Sequence, residues 1–103
     1  MRAQIVIFGA SGDLTSRKLV PALLQNYASG AIKPETQVVG VSRSDRTSDQ
    51  WREDLAQSLT GALAESWPRF AQNFHWIQAD AAVPEQVDRI AAGLDALAGA
   101  DAA

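Results

Sequence analysis

The sequence predicts an α/β fold in which a parallel sheet is covered on both faces by helices, and three observations support it. Three short runs rich in β-branched and aromatic residues, Gln4 to Phe8, Gln37 to Val41 and Phe74 to Ile77, have the length and apolarity of strands buried on both faces. Between and after them, apolar residues recur at helical spacing. The intervening segments are long enough for right-handed crossovers, which make neighbouring strands parallel. The predicted order is β-α-β-α-β-α, the first half only of a doubly wound, three-layer sheet.

Each element has its own signal. Gln4-Ile5-Val6-Ile7-Phe8 is the first strand, stopped by Gly9. From Leu14 to about Ala28 the residues Leu19, Val20, Leu23, Leu24 and Tyr27 fall at helical spacing, and Ser29-Gly30 supplies a stop. Pro21 lies within that span, where its missing donor and its clash with the preceding turn predict a kink or an irregular first turn. Pro34 marks the loop into the second strand. Thr47-Ser48-Asp49-Gln50 offers N-cap candidates for a second helix with the stripe Trp51, Leu55, Leu59 and Leu63, and with Pro68 beyond its end. Trp51 and Trp76, both on apolar patterns, are expected in the core. The third strand ends near Asp80, and Val87, Ile90, Leu94 and Leu97 mark the apolar face of a last helix. The alanine- and glycine-rich end is expected to fray from about residue 98. Residues 1–103 read as a single partial domain, without an internal repeat or an interdomain linker.

Composition removes several functional classes. The chain has 103 residues, a formal net charge of -3, no cysteine and one histidine, so disulfide frameworks, thiolate zinc sites, cysteine nucleophiles and His-rich metal sites are excluded. A sequence pI of about 4.9 disfavours nucleic acid as a bulk electrostatic partner. No run of about 18 apolar residues occurs, so no membrane span is expected. Met1-Arg2-Ala3-Gln4 leads into a short apolar run with no small-residue cleavage pattern, and the expected location is cytoplasmic.

The chemistry is concentrated in Gly9-Ala10-Ser11-Gly12-Asp13-Leu14-Thr15, between the first strand and the first helix. A strand that turns sharply into a helix needs glycine dihedrals, and a helix start offers unpaired N–H groups and a positive dipole end to phosphate. This is the position of the dinucleotide fingerprint in a Rossmann sheet, spaced here as Gly-x-x-Gly-x-x-Thr. Two look-alikes fail. A P-loop needs Gly-Lys-Ser/Thr, but Asp13 follows Gly12. A hydrolase elbow needs Gly-x-Ser-x-Gly, but Asp13 stands at its last glycine, and the single His75 lies in a strand between Phe74 and Trp76 as a structural residue.

After the second strand, where NAD-specific domains place an acid for the ribose 2′-hydroxyl, the sequence reads Val41-Ser42-Arg43-Ser44. A guanidinium there binds a 2′-phosphate by paired, charge-assisted hydrogen bonds, which favours NADP over NAD. Arg46 is near enough to assist Arg43 or to replace it. Lys18 is read either as solvated or as facing the cofactor side, and Asp80, at the ligand-binding edge of the third strand, as a border of the adenosine or ribose site.

Together these residues resemble the start of the coenzyme-binding domain of the glucose-6-phosphate dehydrogenase family. The resemblance rests on Ile7-Phe8-Gly9-Ala10-Ser11-Gly12-Asp13-Leu14, on Arg17-Lys18-Leu19-Val20-Pro21-Ala22-Leu23 and on Val39-Gly40-Val41-Ser42-Arg43-Ser44, and it extends over nearly the whole chain. It implies that Gly9, Ala10, Ser11, Gly12, Asp13, Leu14, Thr15 and Ser16 form the NADP phosphate loop. It further implies that Arg43 holds the 2′-phosphate and that Lys18 points to the pocket where cofactor and sugar phosphate meet. Thr15-Ser16 depart from the family's usual Ala followed by a basic residue, and Asp80-Ala81-Ala82 is less acidic than the family's segment.

Full-length members of the family oxidise glucose 6-phosphate to 6-phosphogluconolactone with reduction of NADP, in the pentose phosphate pathway, and the resemblance implies a homo-oligomer. Their catalytic histidine lies in an Asp-His-Tyr-Leu-Gly-Lys-Glu type motif that these 103 residues lack. No catalytic residue is therefore assigned, and the chain alone is expected to bind NADP without turnover, as an amino-terminal fragment with an open edge on its first strand. Two other readings stand beside it. An atypical short-chain NAD(P)-binding reductase also begins Ile/Val-x-Gly-Ala-Ser-Gly, but normally has glycine where Thr15 stands, and a non-enzymatic nucleotide-binding module would keep the fold without chemistry.

Overall fold

A computed structural model describes residues 3–10, 12 and 18–100. Strands β1 (Gln4–Phe8), β2 (Gln37–Ser42) and β3 (Phe74–Gln78) form one parallel sheet in the order β1-β2-β3. Phe8 pairs with Val41 and Ser42 with Gln78, so all three strands end on the same edge. The helices are α1 (Val20–Ser29), α2 (Ser48–Ser58), α3 (Gly61–Phe70) and α4 (Pro84–Ala100), with a 3₁₀ turn at Ala71–Asn73 leading into β3.

The β2 side chains alternate between the two faces of the sheet and divide the core in two. Val38 joins Ile7, Leu24, Trp51, Leu55 and Phe74 under α1, α2 and α3. Val39 and Val41 join Ile90 of α4 on the other face, with Leu94 and Leu97 packed against them. This is the expected three-layer arrangement. β1 pairs with β2 alone among the described residues, so its outer edge is open, and Phe8 at its end is 62% exposed. Among the described residues no helix is long and apolar enough to cross a membrane.

Two local expectations change. The stripe Trp51, Leu55, Leu59, Leu63 does not belong to one helix: α2 ends at an extended Leu59, Thr60 is extended in turn, and Gly61 starts α3 at φ +61. The turn re-aims the chain so that Trp67 and Phe70 reach the core beside α1, while Leu59 and Leu63 keep their apolar contacts through it. Pro68 accordingly lies inside α3 rather than beyond a helix. Burial of Trp67 and Phe70 on either side offsets the lost backbone bond. Pro21 falls in the first turn of α1, where an N–H has no intrahelical acceptor, and a π-type turn at Lys18 and Leu19 leads into it. α4 runs to Ala100.

A pair of glutamines locks α4 onto the amino-terminal end of the sheet. Gln4 Nε2 donates to Gln37 Oε1 and to the Leu94 carbonyl, both at 2.9 Å, and Gln37 Nε2 donates to the Leu97 carbonyl at 2.9 Å. Leu97 is within the last turn of α4, whose carbonyls lack helical partners. Gln37 is fully buried, so replacing it removes bonds that water does not restore. Gln37→Leu is expected to lower unfolding free energy by about 1–3 kcal/mol in a urea titration. A change within error would show that α4 is held by its apolar face alone.

The single tyrosine, Tyr27, stacks on Phe70 with ring centroids 4.6 Å apart, and its hydroxyl donates to the Thr36 carbonyl. Burial raises its pKa from the ordinary 10.0, and a side-chain hydrogen bond from Asn73 offsets part of that rise. A folded-state pKa above the unfolded one means that the folded protein holds the proton more tightly. The stability this confers is complete below the unfolded value and is lost as pH climbs from there through the folded value. Urea midpoints are therefore expected to fall above about pH 10 in step with tyrosinate absorbance. In Tyr27→Phe that part of the alkaline loss should be absent.

Candidate functional site

The turn after β1 is set by Gly9, whose φ of +69 is strained for any residue with a side chain. Its N–H donates to the Val41 carbonyl at 2.8 Å, the Ala10 N–H reaches the same oxygen at 3.3 Å, and the Gly12 N–H donates to the Gly9 carbonyl at 3.1 Å. The turn is thus tied to the end of β2, and these three donors are already engaged within the chain. Ser11, Asp13, Leu14, Thr15 and Ser16, the other residues expected in the phosphate loop, lie outside the described residues.

Gly40 explains how the turn comes so close to β2. A Cβ there would lie 2.8 Å from Trp51 Cη2 and 2.9 Å from Ala10 Cβ. Ala10 is itself buried in this contact, so it supports the turn from below while Gly9 and Gly12 remain exposed.

The segment after β2 is equally well braced. The Ser44 N–H donates to Ser42 Oγ at 3.3 Å, Trp76 Nε1 donates to the Ser44 carbonyl at 3.3 Å, and Gln78 Nε2 donates to the Arg43 carbonyl at 3.3 Å. Its backbone is therefore held while the Arg43 side chain stays exposed, in no ion pair with a described residue. Arg46, the alternative cation, is committed elsewhere: Nη1 lies 3.4 Å from Asp54 Oδ2, and the guanidinium stacks 5.3 Å above the Trp76 ring.

A cleft of about 260 Å³ opens where the strands end, lined by Phe8, Gly9, Ser42, Arg43 and Asp80 together with Val41, Ala79 and Ala81. It adjoins a second cleft of about 310 Å³ that shares Arg43, Ala79 and Asp80 and adds Gln78, Gln86 and Arg89. The edge is shaped by hydrogen bonds: the Ala79 N–H donates to the Ser42 carbonyl at 2.9 Å, the Asp80 N–H to Gln86 Oε1 at 2.6 Å, and the Ala82 N–H to Asp80 Oδ1 at 2.9 Å.

The fold brings Gly9, Arg43 and Asp80 together at one opening. It leaves Gly12 on a separate cleft beside Arg46 and Asp54, and Lys18 exposed and lining neither of the two clefts at the strand ends. His75 is half-buried, with Nδ1 3.4 Å from Arg52 Nη2. Gln78 and Arg89 were not legible as site residues, because a strand-end glutamine and an arginine on the polar face of a helix carry no local signal.

Comparison with known proteins bears on the family and the fold. Residues 6–102 match the family described as glucose-6-phosphate dehydrogenase, NAD binding domain. The glucose-6-phosphate 1-dehydrogenase of Aggregatibacter actinomycetemcomitans is 35% identical over 96 residues, covering 90% of this chain and 19% of the relative. That of Bacillus subtilis is 35% identical over 83 residues, covering 81% of this chain and 17% of the relative. The chain thus spans about a fifth of the length of the curated relatives it matches. A solved glucose-6-phosphate dehydrogenase in complex with glucose-6-phosphate has the same fold, with a TM-score of 0.85 at 24% identity over 97% of this chain and 22% of that one. A Mycobacterium avium glucose-6-phosphate 1-dehydrogenase gives 0.70 at 21% identity, over 86% of this chain and 20% of the other. On the family match across nearly all of its residues, the chain belongs to the NAD-binding-domain family of glucose-6-phosphate dehydrogenase.

Proposed function

We propose that the chain binds NADP across the carboxyl edge of its sheet. Within a longer protein it would form the coenzyme-binding part of a cytoplasmic, homo-oligomeric glucose-6-phosphate 1-dehydrogenase of the pentose phosphate pathway. That enzyme oxidises glucose 6-phosphate to 6-phosphogluconolactone. The observation that carries this reading is that Gly9 and Arg43 line one cleft at the end of the strands. Gly9 supplies an exposed surface without a side chain, and nothing lies within 4 Å of the place a Cβ would take. Arg43 supplies a cation with no described ion-pair partner on a braced backbone. A side-chain-free surface beside an exposed guanidinium suits a dinucleotide that must bring a diphosphate close to backbone and present a ribose phosphate to a cation.

In this reading the loop of Gly9, Ala10, Ser11, Gly12, Asp13, Leu14, Thr15 and Ser16 holds the diphosphate, and Arg43 holds the 2′-phosphate. Bound NADP supplies a nicotinamide that accepts hydride. The chain's own residues bind and orient. None of them takes the substrate proton, and the one histidine is occupied beside Arg52 in β3. Calorimetric titration of the 103-residue chain with NADP and with NAD tests the proposal. A saturable heat with NADP and a weaker one with NAD is expected, and no saturable signal with either would overturn it.

A further inference from the structure

The second cleft contains a cation that the reading above leaves unused. Arg89 projects from the sixth position of α4 and lines this cleft with Arg43. Its Nη1 donates to the Gln78 carbonyl at 3.4 Å, and it enters no ion pair with a described residue, although Glu85 stands one helical turn before it. Gln78 therefore links the two arginines, since its side-chain amide holds the Arg43 carbonyl at 3.3 Å while its own carbonyl holds Arg89. Two arginines from different elements thus line one opening. The carboxylate there, Asp80, is engaged by the Ala82 N–H. No ion pair joins Asp80 to either arginine among the described residues, so both cations keep donors for an added anion, which their shared positive charge favours.

We propose that Arg89 is a second specificity residue for the 2′-phosphate of the dinucleotide, acting with Arg43 as the other half of a clamp. The proposal rests on the NADP reading of the first cleft. A guanidinium has five donors, so its bond to the Gln78 carbonyl leaves others for phosphate oxygens. α4 then does more than cover the sheet: its sixth residue reads the ligand.

The test is titration of the 103-residue chain with NADP, NAD and 2′,5′-ADP, comparing wild type with Arg89→Ala, Arg89→Lys, Arg43→Ala and the double variant, each checked by circular dichroism for unchanged helix content. Arg89→Ala is expected to weaken NADP and 2′,5′-ADP about fivefold while leaving NAD unchanged, as for one partly exposed charge pair. Arg89→Lys should recover part of the loss. High salt should close the gap between Arg89→Ala and wild type, because exposed charges are screened. If Arg89→Ala leaves NADP affinity unaltered while Arg43→Ala lowers it, the clamp is wrong and the NADP reading stands. Equal weakening of NADP and NAD by Arg89→Ala would assign Arg89 to packing and overturn the clamp. If wild type binds neither dinucleotide, or both alike, the 2′-phosphate reading itself fails and the clamp falls with it.

Discussion

Trp51→Ala is expected to remove about 3–5 kcal/mol of unfolding free energy, out of a total of roughly 5–15 kcal/mol for a domain of this size. Trp51 is 1% exposed and forms the hub of the larger core. Its ring meets Trp76 edge-on at 5.3 Å and Phe74 at 5.8 Å, and it covers the face of Gly40 so closely that a Cβ there would clash. On its Gly40 side no side chain can refill that volume, because Gly40 has none and Ala10 has a single methyl. Urea unfolding followed by circular dichroism measures the loss, and a value near 1 kcal/mol would show that the site collapses on itself instead.

The same contact predicts a coupling. Gly40→Ala alone should cost about 1–3 kcal/mol by overpacking against Trp51 and Ala10. In the Trp51→Ala background its cost should shrink, since the nearest obstructing atom is gone, and the double variant should be more stable than the sum of the two losses implies. The turn that carries Gly9 rests on Ala10, so this packing also reaches the candidate site.

How much of this was readable in the sequence differs from element to element. The first strand matches residue for residue, because Ile5, Val6 and Ile7 are bounded sharply by Gly9. β2 and β3 each run one residue further, to Ser42 and Gln78, since ladder pairing and not side-chain character decides where a strand ends. The merging of α2 with α3 has a clear origin: Leu59 and Leu63 both pack on the same core, so a four-residue apolar rhythm continues across a break that only Thr60-Gly61 betrays. Pro68 points the same way, because local propensity is overridden by the burial of Trp67 and Phe70.

At the site, Arg43 could be placed from sequence because it directly follows a strand whose end defines the binding edge. Position also favoured Arg43 over Arg46, but the contacts that engage Arg46 could not be read, since Asp54 and Trp76 are brought to it by other elements. Arg89 was beyond reach for the same reason: its nearness to Arg43 exists only once α4 has docked behind β3.

Arg43→Ala is expected to weaken NADP binding roughly ten- to a hundredfold, the equivalent of about 1.5–3 kcal/mol for hydrogen bonds to a charged group, while NAD affinity changes by less than about threefold. The asymmetry follows from placement. Arg43 lies on a segment fixed by the Ser42 hydroxyl, the Trp76 indole and the Gln78 amide, so truncating its side chain should leave the turn at Gly9 and the rest of the cleft as they are. The two dinucleotides differ only in the phosphate on the adenosine ribose, so a residue that touches that phosphate alone must act on one ligand and spare the other. Arg46→Ala supplies the contrast: with its guanidinium held by Asp54 and stacked on Trp76, its loss should lower stability a little and leave the NADP-to-NAD ratio in place. Calorimetry with both ligands on both variants separates the outcomes. Equal losses for NADP and NAD in Arg43→Ala would mean that Arg43 shapes the cleft rather than reading the phosphate. A changed ratio in Arg46→Ala but not in Arg43→Ala would move that role to the residue stacked on Trp76.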